Sequence, residues 1–166
     1  AGLRSHISIL ILNVNGLNAP FKSYRVASWI KREAPTLCCL QETHLTCNNT
    51  HRLQVGGWIK IYHKNRKQKR AGVTILITDK TDFKPMKIKK TKKGYYIIIK
   101  DKIQKENLTI LNMYIQHWST QIHNTSSSPK KDLDNHTITV GGVNVPLTML
   151  DYQVIKLTNS GFKLDT

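Results

Sequence analysis

Two short segments near the front of the chain place polar groups directly after strand-like apolar runs. Asn13-Val14-Asn15-Gly16-Leu17 closes one run, and Leu40-Gln41-Glu42-Thr43-His44 closes the next. Magnesium takes oxygen ligands, commonly one or two carboxylates with several waters. Glu42 at a strand end, helped by the amide oxygen of Asn13, could hold such an ion. Adjacent strands of an α/β sheet bring their ends to one rim, where ligands usually bind. The chemistry open to this pair is metal-assisted hydrolysis of a phosphodiester. The competing reading makes Glu42 an exposed strand-end acid and Asn13 a turn residue, and spacing alone does not separate the two. A third segment, Val140-Gly141-Gly142-Val143-Asn144, has the same form with no acid.

The elements that must position these residues follow from periodicity. From His6 to Asn15 both alternating sets are largely apolar, the pattern of a central strand buried on two faces. Val26, Trp29 and Ile30 then form an i, i+3, i+4 stripe, which predicts a helix with Ser23 as a possible N-cap and Pro35 closing it. Thr36 to Gln41 is a second short apolar run, so the front reads as strand, helix, strand. Beyond it strands are expected at Trp58 to His63, Gly72 to Thr78, Phe83 to Lys89, Gly94 to Lys100, Leu108 to Tyr114 and Thr137 to Val140, arranged as a meander. Lys64 to Arg70 and Lys90 to Lys93 read as basic hairpin tips, and His117 to Asn135 as a polar loop or frayed helix. If Tyr95 and Tyr96 lie in a strand, one of them must face the core.

Composition narrows the classes. The 166 residues suit one domain, and the net charge of +16 favours a polyanionic partner such as nucleic acid or an acidic surface. Between Lys60 and Lys105, 16 Lys/Arg against three Asp leave +13 of that charge in one stretch. Lys64, Arg66, Lys67, Lys69 and Arg70 make the best candidate surface for salt-sensitive, sequence-indifferent contact with a DNA or RNA backbone. The alternative is a solvated hairpin tip. Cys38, Cys39 and Cys47 cannot form a disulfide framework, and no apolar run approaches the roughly 20 residues needed to cross a bilayer. The expectation is an intracellular chain, nuclear or cytoplasmic, without a membrane partner.

The first two segments, together with Lys69-Arg70-Ala71-Gly72-Val73 to Asp79-Lys80-Thr81-Asp82-Phe83-Lys84-Pro85 and Leu108-Thr109-Ile110-Leu111-Asn112-Met113-Tyr114, closely resemble the endonuclease domain of mammalian long interspersed element (LINE) retrotransposons. The resemblance is collinear from about Ser5 to Asp151 and fades after Tyr114. It implies an α/β fold of the endonuclease/exonuclease/phosphatase kind, a four-layer sandwich of two β-sheets between helices. It also implies a magnesium-dependent endonuclease that cuts one DNA strand to leave a 3′ hydroxyl for reverse transcription. Position by position, Asn13 matches an active-site Asn, Glu42 the metal-binding acid, Tyr114 the Tyr that positions the scissile phosphate, and Asn144 a second active-site Asn.

The departures lie at the site. Where the family reads Gly-Asp-Phe-Asn this chain reads Gly141-Gly142-Val143-Asn144, and Ile115-Gln116-His117 replaces Ala-Pro-Asn. The closing Ser-Asp-His segment and a second Asp have no counterpart before Thr166. Losing one acid-base member typically costs roughly 10²–10⁴ in rate, so the resemblance implies an impaired or inactive enzyme with residual nucleic-acid binding. None of the seven His recurs at a metal-ligand spacing that would compensate. The expected domain spans residues 1–151, with its C-terminal strands missing, and 152–166 is a divergent tail in which Ile155, Leu157, Phe162 and Leu164 could form an edge strand or a frayed end. A sheet left short would call for a protein partner to cover it. The alternative function is a non-enzymatic basic binding or structural module derived from a retroelement.

Overall fold

The computed structural model describes residues 7–45, 56–63, 72–79, 85–90, 96–103, 106–114, 132–142, 152–158 and 161–165. The front is a parallel strand-helix-strand unit: β1 (Ile7–Asn13), α1 (Pro20–Glu33) and β2 (Leu37–Gln41), with Ile9 to Asn13 in register with Leu37 to Gln41. Both strands are apolar on both faces for a physical reason. Ile7, Ile9, Leu37 and Cys39 enter the core between two sheets, while Leu10, Leu12, Cys38 and Leu40 pack under Ile30, Val26, Ala27 and Trp29 of α1. Cys38 and Cys39 are free, fully buried and face opposite ways, as buried thiols in an apolar run should.

The helix starts three residues before the expected cap. Pro20 occupies its first turn and Ala19 precedes it without a side-chain cap bond, because a fixed proline φ and a missing N–H already suit that position. Ser23 lies inside the helix, its hydroxyl donating to the Pro20 carbonyl at 3.0 Å. At the other end Ala34 turns left-handed (φ 45°) and its N–H donates to Ile30 O at 2.9 Å, just before Pro35.

The remaining strands are β3 (Trp58–His63), β4 (Val73–Thr78), β5 (Lys87–Lys90), β6 (Tyr96–Ile103), β7 (Glu106–Tyr114), β8 (Thr137–Gly142), β9 (Tyr152–Thr158) and β10 (Gly161–Asp165). They do not make one meander. A six-stranded sheet A has the order β10-β9-β1-β2-β4-β3, and a four-stranded sheet B has the order β5-β6-β7-β8. Only β5-β6-β7 is an antiparallel meander, and β8 joins β7 in parallel. Alternation in a strand shows which faces are apolar and leaves the identity of the neighbouring strand open, so the split could not be read from it. The β5 strand begins at Lys87, and Phe83 lies outside the described residues.

Residues 152–165 supply β9 and β10. The β9 strand pairs with β1 from Ile7 to Leu12, so β1 is central, and β10 forms the outer edge of sheet A. Sheet B stacks Ile97, Ile99, Ile110, Ile138 and Val140 against sheet A. Its other face carries Tyr96, Ile98, Leu111 and Met113, with Leu133 packed on them. Tyr96 is buried on that face, and Tyr95 lies outside the described residues. Of the four layers expected, the described residues supply three: helix, sheet A and sheet B. No helix among them is long and apolar enough to cross a membrane.

Candidate active site

The parallel pairing of β1 and β2 sets Asn13 opposite Gln41, at the level where both strands end. Backbone hydrogen bonds continue past that point: Val14 N–H donates to Gln41 O (3.0 Å), Gly16 N–H to Glu42 O (2.6 Å) and Leu17 N–H to Thr43 O (2.9 Å). On the other side Thr43 N–H donates to Gly72 O at 3.0 Å. Glu42 and Thr43 are therefore tied by backbone to the segment after Asn13 on one side and to Gly72 on the other.

This rim concentrates unusual backbone. Asn15 (φ 43°), Gly16 (φ 86°), Glu42 (φ 53°) and His44 (φ 50°) are left-handed, four of six such residues among those described. Gly16 and Asn15 tolerate that region, but a left-handed Glu or His costs about 1–3 kcal/mol and persists only where the surroundings impose it. The Glu42 residue is 9% exposed, and its carboxylate has no hydrogen-bond or ion-pair partner among the described residues. The Asn13 Oδ1 accepts the Asn15 N–H at 3.1 Å, closing an Asx turn. The Asn13 Oδ1 keeps a second lone pair and Nδ2 has no partner among the described residues, so the side chain can offer an acceptor or a donor. Lys22 Nζ donates to Asn15 O at 2.7 Å and ties α1 to the same loop.

Two residues that sequence reasoning missed join this rim to sheet B. The Gln41 Nε2 donates to Asn112 Oδ1 (3.3 Å) and Val140 O (3.4 Å), while Asn112 Nδ2 donates to Leu40 O (3.2 Å) and Thr74 O (3.1 Å). Both side chains are buried, at 1% and 0% exposure. Gln41 ends β2, and Asn112 and Val140 lie two residues before the ends of β7 and β8. The bridge thus gathers the ends of three strands, with Asn13 at the paired end of β1. Tyr114 closes β7 in register with Gly142, the last residue of β8. The signal was available: Gln41 directly follows the apolar run Leu37 to Leu40, and Asn112 stands between Ile110-Leu111 and Met113.

Among the proposed site residues, Asn13 is in register with Gln41, the residue before Glu42, and Tyr114 with Gly142, while Asn144 lies outside the described residues. So do Lys64, Arg66, Lys67, Lys69 and Arg70; β3 and β4 on either side of them are antiparallel neighbours, as the expected hairpin requires. At the opposite end of β8, Asp132 pairs with Lys87 and Lys89, and the Lys89 hydrogen bond holds the Asp132 carboxyl below its ordinary range.

Residues 10–153 match the endonuclease/exonuclease/phosphatase family. The chain belongs to that family. Among solved structures, the AP endonuclease LMAP from Leishmania major is 18% identical, with a TM-score of 0.60 over 86% of this chain and 56% of that one. A truncated TDP2 from Caenorhabditis elegans is 20% identical, with a TM-score of 0.52 over 71% and 49%. The APE2 catalytic domain from Xenopus laevis is 15% identical, with a TM-score of 0.50 over 65% and 45%. At such identities the likeness is one of fold, and the chain spans about half the length of each.

Members of the endonuclease/exonuclease/phosphatase family generally use divalent metals. Among the described residues no three His, Cys, Asp or Glu side chains come together as a metal-binding group. Among the described residues the donor set at the rim is one carboxylate, Glu42, beside the Asn13 amide, whose oxygen accepts one turn bond and keeps a second lone pair. That set suits a magnesium ion held weakly by a single acid and completed by water.

Proposed function

We propose that this domain is a LINE retrotransposon-type endonuclease whose hydrolytic step is impaired and whose retained property is sequence-indifferent binding to a nucleic-acid backbone. The observation that carries the reading is Gly142 at the end of β8, opposite Tyr114, the position at which the resemblance expects an aspartate. A glycine can neither hold a cation nor handle a proton.

In this reading Glu42 would hold the magnesium ion, which when bound supplies Lewis-acid stabilisation of phosphoryl charge. The Asn13 Nδ2 donates to a non-bridging phosphate oxygen, and Tyr114 orients the scissile group. With no acid at Gly142, the rim still positions a phosphate but has lost the carboxylate that the resemblance places there to help activate the attacking water. That deficit costs roughly 10²–10⁴ in rate. Binding has looser requirements. Lys64, Arg66, Lys67, Lys69 and Arg70 contact phosphates without exacting geometry, within the strongly basic stretch of the chain.

Fluorescence anisotropy on two labelled duplexes of unrelated sequence tests the binding arm. Five phosphate contacts predict a loss of affinity of about 10²–10³ between 50 and 200 mM salt, equal for both sequences. Neutralising the five basic residues should flatten that dependence. Absence of binding at 50 mM salt, or affinity that ignores salt, overturns the reading.

A further inference from the structure

One face of α1 is not explained by packing. Phe21 and Tyr24 are 71% and 73% exposed, whereas the helix buries Ser23 and Ile30 on its other side. Residues three and four apart share a helix face, so Phe21, Tyr24 and Arg25 are neighbours. The Arg25 guanidinium sits over the Phe21 ring, 5.5 Å from its centroid, which keeps a positive charge against the aromatic surface. Ser28, Lys31 and Arg32 continue this exposed stripe for about two further turns. The first turn carries no acid, and the helix's one acid, Glu33, is paired with Arg32 at 3.3 Å. Lys22 anchors the start of the helix to Asn15, so the stripe begins beside the Asn13–Glu42 rim.

We propose that this face is a base-stacking platform, on which Phe21 and Tyr24 receive unpaired bases of a single-stranded nucleic acid whose phosphates follow Arg25 and Lys31. The inference rests on the nucleic-acid reading above and specifies the form of substrate held next to the rim. Exposed aromatic rings interleaved with cations are the surface that single strands use, since every base has a flat face and every linkage a negative charge. In a duplex those faces are already stacked, so the platform offers a duplex only its charges. The helix itself carries Lys22, Arg25, Lys31 and Arg32 against the single acid Glu33, and this local charge selects a polyanion over a protein partner.

Anisotropy with a labelled 15-nucleotide oligothymidine and a duplex of equal length tests this on the whole chain. The Phe21→Ala/Tyr24→Ala variant should lose roughly 30-fold or more in oligothymidine affinity, stay within about twofold of the parent on duplex, and keep the parent's salt slope. Both side chains are exposed, so the variant should retain the parent circular dichroism, and Phe21→Trp/Tyr24→Trp should restore oligothymidine binding. Unchanged oligothymidine affinity in the alanine variant, with duplex binding intact, overturns the platform and leaves the nucleic-acid reading standing. A parent that binds neither oligonucleotide overturns both. Self-association abolished by the alanine variant, with oligothymidine affinity unaltered, overturns the platform and assigns the face to contact between copies.

Discussion

Gln41 of β2 and Asn112 of β7 face each other across the space between the two sheets, joined by a 3.3 Å hydrogen bond from Gln41 Nε2 to Asn112 Oδ1. Each is also held by backbone carbonyls of other strands: Val140 O for Gln41, and Leu40 O and Thr74 O for Asn112. In an otherwise apolar interior this pair fixes how the sheets sit together at the end where Glu42, Tyr114 and Gly142 emerge.

Breaking one member should cost more than its own bonds, because the partner is left buried and unpaired. Asn112→Leu is expected to lower unfolding free energy by about 1–3 kcal/mol, read from urea titration. Adding Gln41→Leu should then cost less than it does alone, giving a clear coupling energy in a double-mutant cycle. Strict additivity would show that the two amides act independently.

The Thr74 hydroxyl presents the reverse case. Its Oγ1 is buried with no hydrogen-bond partner among the described residues, a desolvation cost with no return. Thr74→Val keeps the shape and removes that cost, so stability should rise by roughly 1 kcal/mol. A loss of stability in the same titration would mean that the hydroxyl has a partner in solution.

Stability should also fall in alkali through β2. Burial pushes the Cys39 thiol from 9.0 up to about 12, and burial together with the neighbouring Cys39 pushes Cys38 well up. Below pH 9 both folded and unfolded chains keep these protons, so the thiols impose no pH dependence. Between pH 9 and about 12 only the unfolded chain releases them, and stability declines as pH rises. Cys38→Ala/Cys39→Ala should shallow that slope, and in a Cys47→Ser background the two remaining native thiols should resist alkylation until the chain unfolds. Rapid native labelling at neutral pH would contradict the burial.

The front of the chain was legible because its two-faced apolar runs leave few alternatives: β1 had to be central, and Val26 and Ile30 had to carry the buried side of a helix. Strand positions such as Trp58 to His63 were equally readable. The division into two sheets was not, since a strand's pattern does not name its neighbour. Ser23 drew the helix start too late because Pro20 does the same work without a side-chain bond. At the rim, the strand ends that carry Asn13 and Glu42 could be read from the apolar runs before them, whereas Gln41 and Asn112 were passed over because a buried strand amide shows its meaning only when its counterpart on another strand is known.

The most direct measurement of the whole account is relaxation of supercoiled plasmid by the purified chain with Mg²⁺ or Mn²⁺, run beside a binding assay on the same preparation. Retarded plasmid with nicking no greater than buffer alone is the expected result. Strong metal-dependent nicking that disappears in Glu42→Gln would contradict it.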